Sequence, residues 1–184
     1  MCNLYSNTTP QAAMRALFGV APGQDRLGNF APLPAIYPRY SAPVVRLDSD
    51  GARVLVAMHW GFLLPQVSKT TGKPILPKAV NNARDDKLRA SRFWADSFER
   101  RRCLVPASSF AEAKGRKPAT YYWFGLVEGT GPRPPFAFAG LWRRFRGEYR
   151  GERVELDTHT VITTAPNDLV RPVHPDRMPV ILGP

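Results

Sequence analysis

The stretch Val44-Val45-Arg46-Leu47-Asp48-Ser49-Asp50-Gly51-Ala52-Arg53-Val54-Leu55-Val56-Ala57-Met58 sets two valine-rich runs around a polar tetrapeptide that ends in glycine. Branched apolar residues suit a pleated surface, and Asp-Ser-Asp-Gly supplies turn chemistry, so the reading is a hairpin with strands at 44–47 and 53–58. The pattern recurs downstream. Strands are expected at 103–106, 110–113, 120–124, 136–142 and 153–164, with 178–182 last, and Gly or Pro stands between most of them. Working outward, Thr9-Pro10 before an apolar run that stops at Gly19 predicts a short capped helix. Leu88, Phe93, Ala95 and Phe98 predict a second helix within 87–101. Pro22, Pro32, Pro34, Pro38 and Pro43 make 21–43 a loop wrapped on the domain, and 66–78 reads as a polar loop after the strand that ends in Trp60-Gly61. The expected fold is α+β, mostly antiparallel β and curled toward a barrel, with a few peripheral helices.

With 184 residues, 43% of them hydrophobic and 11% aromatic, the chain has the size and composition of one domain, 1–184, with a substantial core. No apolar run approaches the roughly 20 residues of a membrane helix, and the N-terminus lacks the features of a secretory signal, so no membrane association is expected. Cys2 and Cys103 are too few for a disulfide scaffold, and no Cys/His cluster has zinc spacing. A cytoplasmic protein without metal or cofactor is expected, acting as a monomer with no obligate protein partner. Cations outnumber acids 26 to 15, a formal charge of +11, and 20 of the cations are arginine. They cluster at Arg100-Arg101-Arg102 and again at Arg143, Arg144, Arg146, Arg150 and Arg153. That balance predicts a polyanionic partner, in first place nucleic acid.

Cys2 is the informative position for chemistry. A small second residue permits removal of Met1, which leaves an α-amine (reference pKa about 8) beside a thiol (about 8.5) on one residue. Such a 1,2-aminothiol condenses with an aldehyde to a Schiff base, and the thiol then closes a thiazolidine ring. Three other segments carry groups to support this. Asn81-Asn82-Ala83-Arg84 offers amides and a guanidinium; Ser109-Phe110-Ala111-Glu112-Ala113 places a carboxylate among small residues; Val173-His174-Pro175-Asp176-Arg177 offers an imidazole before the last strand. Asn82, Glu112 and His174 would supply an oxygen-binding donor, a carboxylate and a general acid/base. Cys103, His59, His159 and the run Tyr121-Tyr122-Trp123-Phe124 read as structural: a buried cysteine, surface or sheet histidines, and a core or sheet face.

Cys2, Trp60-Gly61, Asn82-Ala83-Arg84, Arg102-Cys103-Leu104-Val105-Pro106-Ala107, Phe110 with Glu112, Ala139-Gly140-Leu141-Trp142 and His174 with Arg177-Met178-Pro179-Val180-Ile181-Leu182 occur in this order. In this the chain resembles the SOS-response-associated peptidase (SRAP) family of abasic-site processing proteins. The resemblance implies a barrel-like SRAP fold and a partner, single-stranded DNA containing abasic sites, captured as a thiazolidine crosslink in the DNA-damage response. It implies that Cys2 is the nucleophile, that Asn82 holds the sugar oxygen, that Glu112 orients the amine and shuttles protons, and that His174 protonates the opening sugar ring. Arg84 would clamp a phosphate and Trp60 would stack or wedge on DNA. Ala111 and Ala113 stand where aromatics commonly flank the glutamate, Pro175 is an extra residue, and the chain stops at Pro184 earlier than such proteins usually do. A thiol-dependent peptidase using the same residues and a non-catalytic single-strand-binding module remain the alternatives.

Overall fold

The 44–58 hairpin is present, and the chain continues from it into a sheet that closes on itself. The computed structural model describes residues 2–115, 117–127 and 133–183. In chain order the elements are β1 (Tyr5–Asn7), α1 (Gln11–Phe18), β2 (Leu33–Ile36), β3 (Ser41–Leu47), β4 (Arg53–Trp60), β5 (Phe62–Val67), β6 (Pro74–Val80), β7 (Asn82–Arg84), α2 (Ala95–Arg100), β8 (Arg102–Ala107), β9 (Ser109–Lys114), β10 (Thr120–Phe124), β11 (Phe136–Tyr149), β12 (Glu152–Thr164), β13 (Met178–Pro179) and β14 (Ile181–Leu182). Hydrogen bonding runs β12–β4–β3–β8–β11 and returns to β12, a closed five-stranded barrel. Its pairings are antiparallel except β4–β12, which is parallel and sets His59 opposite Thr158 and Trp60 opposite His159. A second sheet has the order β10-β9-β1-β2, and β5 with β6 forms a hairpin of its own. The fold is therefore α+β, barrel-like and mostly antiparallel. No helix among the described residues is long and apolar enough to cross a membrane.

Aromatic side chains fill the space between the barrel and the second sheet. Tyr5 of β1 is fully buried, edge-on to Trp60 at 4.9 Å and to Phe138 at 5.6 Å between ring centroids. Such edge contacts add about 0.5–1.5 kcal/mol each beyond the area they bury. On another face, Met14 and Phe18, one turn apart on α1, pack with Val45, Leu55 and Ala137. Gly19 ends α1 in the left-handed conformation, as expected, but Pro10 rather than Thr9 holds the N-cap, without a side-chain bond.

Several expectations need correction, each for a local reason. Residues 66–78 are no loop: β5 and β6 pair across them, with a turn closed by Ser68 N–H on Lys73 O (2.9 Å) and Gly72 N–H on Ser68 O (2.8 Å). The proline-rich 21–43 contains β2, which tolerates Pro34 because it is the outer strand of its sheet. The helix predicted over 87–101 shrinks to α2. Before it, turns direct Phe93 and Trp94 together toward Phe62, which neighbouring residues of one helix do not achieve. Tyr121, Tyr122 and Trp123 are exposed rather than core, since β10 is the other outer strand of the second sheet. His59 and His159 lie in strands but are buried, His159 because β12 is enclosed on both faces from Thr158 to Thr163, and His59 on β4 because Tyr149 packs edge-on against its ring. Cys103 is buried, and burial pushes its thiol pKa up.

Gly61 makes the corner between β4 and β5 possible. Its φ is +118°, its N–H donates to His159 O at 2.8 Å, and a Cβ there would stand 2.7 Å from the Cβ of Ala79. Gly61→Ala should therefore cost about 1–3 kcal/mol of stability through backbone strain and overpacking. Urea denaturation should show a lowered midpoint at an unchanged m-value; a midpoint equal to wild type would mean that the corner relaxes freely.

Candidate active site

The site grows from the N-terminal residues and the seam of the barrel. Cys2 is fully buried, and its carbonyl oxygen accepts two side-chain amides, Asn82 Nδ2 at 2.9 Å and Asn81 Nδ2 at 3.1 Å. Asn81 Nδ2 donates also to Asn3 Oδ1 at 2.8 Å. Both asparagines are placed by β12: Asn82 opens β7, opposite Val161, and the Asn81 carbonyl accepts Val161 N–H at 3.1 Å. The same carbonyl accepts the indole N–H of Trp60 at 3.0 Å. From the other side, β9 runs antiparallel to β1 with Phe110 opposite Tyr5, and Ala111 N–H bonds Leu4 O at 2.9 Å. That register brings Glu112 level with the first residues of the chain.

Glu112 is buried, 3% exposed, and burial raises its carboxyl pKa above the ordinary value, against the attraction of the nearby His174. Burial, then the charge of Glu112, pushes the Cys2 thiol up to about 12, so it carries its proton at neutral pH. His174 sits in the connection between β12 and β13. Arg177 N–H donates to His174 Nδ1 at 3.2 Å, which selects the tautomer with the proton on Nε2. Pro175 and Asp176 thus lie in a bend closed by the histidine itself. Arg177 anchors the bend: its buried guanidinium donates to Asp85 Oδ1 at 2.6 Å, to the Thr163 carbonyl, and to Thr163 Oγ1 at 3.4 Å. A cleft of about 410 Å³ opens here, lined by Asn3, Leu4, Tyr37, Pro38, Glu112, Tyr121 and His174 among others.

The structure thus gathers Cys2, Asn82, Glu112 and His174, and it gives the two residues expected to touch DNA other partners than expected. Trp60 is fully buried, so stacking or wedging by it is corrected: its ring belongs to the core, and it supports Asn81 from within. Truncating such a residue costs about 3–5 kcal/mol, so a Trp60 variant would report on folding rather than on DNA. Arg84 is exposed, but its fork already grips Asp86, Nε to Oδ1 at 2.9 Å and Nη2 to Oδ2 at 3.1 Å. A phosphate there would compete with a carboxylate. Met1, whose removal the chemistry of Cys2 requires, lies outside the described residues. Sequence reasoning missed Asn81 as a second donor, Arg177 as the anchor of the histidine, and Tyr37 and Tyr121 as walls of the cleft. The doubled asparagine and the arginine three residues after His174 were the available signals. Among the described residues no group of three or more His, Cys, Asp or Glu side chains is placed to hold a metal ion.

Known proteins share features of both the sequence and the fold. A family model described as SOS response associated peptidase (SRAP) matches residues 1–184. Two Bacillus subtilis proteins called abasic site processing proteins, YoqW and YobE, are 34% and 32% identical to this chain over 164 and 167 residues. Each alignment spans 86% of this chain, and 69% and 70% of those proteins. An X-ray structure of a Bordetella bronchiseptica protein superposes with a TM-score of 0.70 at 25% identity, covering 99% of this chain and 84% of that one. One from Bacteroides thetaiotaomicron gives 0.69 at 20% identity, over 99% and 77%, a likeness of fold alone.

The buried carboxyl has a measurable consequence. Since the folded state raises the pKa of Glu112 above its ordinary value near 4.5, the folded chain binds that proton more tightly than the unfolded chain. Its contribution to stability is full below that ordinary value and is lost as the pH rises through the raised one. Glu112→Gln has no such titration, so its stability relative to wild type should increase as the pH rises from roughly 4 to 8. Urea midpoints measured across that range check this; parallel profiles for the two proteins would show that Glu112 is not perturbed.

Proposed function

The chain belongs to the SRAP family, and on that footing we propose that it processes abasic sites in single-stranded DNA by forming a covalent crosslink through Cys2. The observation that carries this reading is the double grip of Asn81 and Asn82 on the Cys2 carbonyl beside buried Glu112. A main-chain anchor of that kind holds the first residue of a mature chain while leaving its amine and thiol for reaction. A single strand suits the site, because the nucleotide must leave the base stack to enter a cleft.

In this reading the C1′–O4′ bond of the sugar breaks as His174 gives its Nε2 proton to the ring oxygen and takes up the proton that the C1′ hydroxyl releases, which exposes an aldehyde at C1′ and leaves the imidazole as it began. The Cys2 amine attacks that carbon, and loss of water gives the Schiff base. The Cys2 sulfur then adds to the same carbon, forming the C–S bond, while the thiol proton passes to the nitrogen; Glu112 relays it. A carboxyl with a raised pKa accepts and returns a proton near neutral pH more readily than an ordinary one. Asn82 holds the sugar oxygen. The buried, protonated thiol of Cys2 favours this order, with nitrogen first and sulfur second, over a peptidase mechanism that needs a ready thiolate.

Mature protein lacking Met1, incubated with a single strand carrying one abasic site, should give a heat-stable shifted band on a denaturing gel. Cys2→Ala should abolish it and leave DNA affinity within about two-fold, as should a chain that retains Met1; persistence of the band in Cys2→Ala would sink the mechanism. His174→Ala should slow crosslink formation or reversal by about 10²–10⁴-fold with DNA affinity kept. A time course equal to wild type would show that His174 does not donate the proton.

A further inference from the structure

The outer strand β10 carries three large aromatic side chains in the open, Tyr121, Tyr122 and Trp123, at 58%, 44% and 42% exposure. Alternate residues of a strand share a face, so Tyr121 and Trp123 stand on one side and Tyr122 on the other. Each of the first two lies opposite an alanine of β9, Tyr121 across from Ala113 and Trp123 across from Ala111. An alanine is too small to cover the ring beside it, so this face keeps two uncovered rings in a row. Tyr121 also lines the cleft that holds Glu112 and His174. Glu112, opposite Tyr122, is buried, and the exposed charge of the segment that follows it is cationic. Residues 113–127 include Lys114, Arg116 and Lys117 and no Asp or Glu, and Lys114 and Lys117 are exposed.

We propose that Tyr121 and Trp123 form a base-stacking shelf that leads single-stranded DNA out of the cleft. Tyr121 takes the base next to the abasic nucleotide and Trp123 the base after it. This rests on the reading of the cleft given above and adds what chooses the strand. A nucleotide without a base leaves its neighbour with one unstacked face, and a ring at the mouth of the cleft can occupy that face. Exposed aromatic rings beside exposed cations match a strand of bases and phosphates, because every base offers a π-face and every linkage a negative charge. A protein partner adding to the β10 edge would use main-chain bonds instead and would gain nothing from rings that project from the face of the sheet.

The test uses the full chain and a single strand with one tetrahydrofuran residue, an abasic analogue without an aldehyde, so binding is read without crosslinking. By fluorescence anisotropy, Tyr121→Ala and Trp123→Ala should each weaken binding by about 5- to 100-fold, with the salt dependence unchanged. Tyr121→Phe should bind as wild type does. Tyr121→Ala should also narrow the preference for the analogue over an intact strand. Lys114→Gln should instead lower the slope of log affinity against log salt by about 0.7. These positions are exposed, so the variants should melt with wild type. If wild type fails to bind the strand at all, the reading of the cleft falls and the shelf with it. If wild type binds and both alanine variants match it, the shelf alone is refuted. If the variants leave affinity unchanged but convert a dimer to a monomer in sedimentation, β10 is a contact between copies and the proposal is overturned.

Discussion

The carbonyl oxygen of Cys2, accepting one amide from Asn81 and another from Asn82, is the contact on which the rest of the site depends. It ties the start of the chain to the seam where the barrel closes. The tie reaches further inward, because the Asn81 carbonyl is itself held by Val161 N–H and by the Trp60 indole. Trp60 in turn lies edge-on to Tyr5, the residue that starts β1. Core, seam and N-terminus thus form one hydrogen-bonded and packed circuit. Each of its buried polar groups would cost about 1–3 kcal/mol if left without a partner, which fixes where Cys2 can stand.

The excess of arginine has two uses that the formal charge does not separate. Arg144 pairs with Asp157 and Glu155, and Arg146 with Glu155, across the β11–β12 hairpin. Arg143 lies over the rings of Phe62 and Phe93, at 4.4 and 4.3 Å from their centroids, where burial lowers its pKa to about 10. Arg177 is inside the fold, holding the His174 bend. Exposed pairs of this kind contribute about 0–1 kcal/mol each, so they matter less for stability than for the field. Two of the five arginines read between 143 and 153, Arg144 and Arg146, are thus neutralised where they stand, and Arg143 is turned onto rings. What faces a polyanion is a smaller set of cations than the sequence total implies.

Periodicity made the 44–58 hairpin and the downstream strands legible, because those strands carry branched apolar residues that only a sheet accommodates. It found β12 but not the burial of its side chains, since Thr158, His159, Thr160 and Thr163 read as polar yet are fully buried. A strand bonded to β11, β4, β7 and β13 is enclosed by its neighbours whatever its side chains. It found β10 with its bounds but not its exposure, because the aromatic run suggests a core and position at the edge of a sheet leaves no trace in composition. Cys2, Asn82, Glu112 and His174 were legible as an ordered set resembling a family, not as a cluster, since no local spacing joins them. Trp60 was misjudged for the same reason: the residue beside a glycine corner is marked in the sequence, but the direction it faces is not.

The parallel pairing of β4 with β12 joins strands from opposite halves of the chain, and the site inherits that separation. Cys2 precedes β1, and the His174 bend follows β12. Contacts so distant along the chain are slow to form, because the loop between them must lose its freedom before any contact rewards it. During synthesis the N-terminal cysteine emerges first and waits for β7, β9 and β12 before it has a pocket to occupy. Cys2 is therefore made well before the strands that surround it. The pocket around Cys2 is closed only once β12 and the His174 bend have been made.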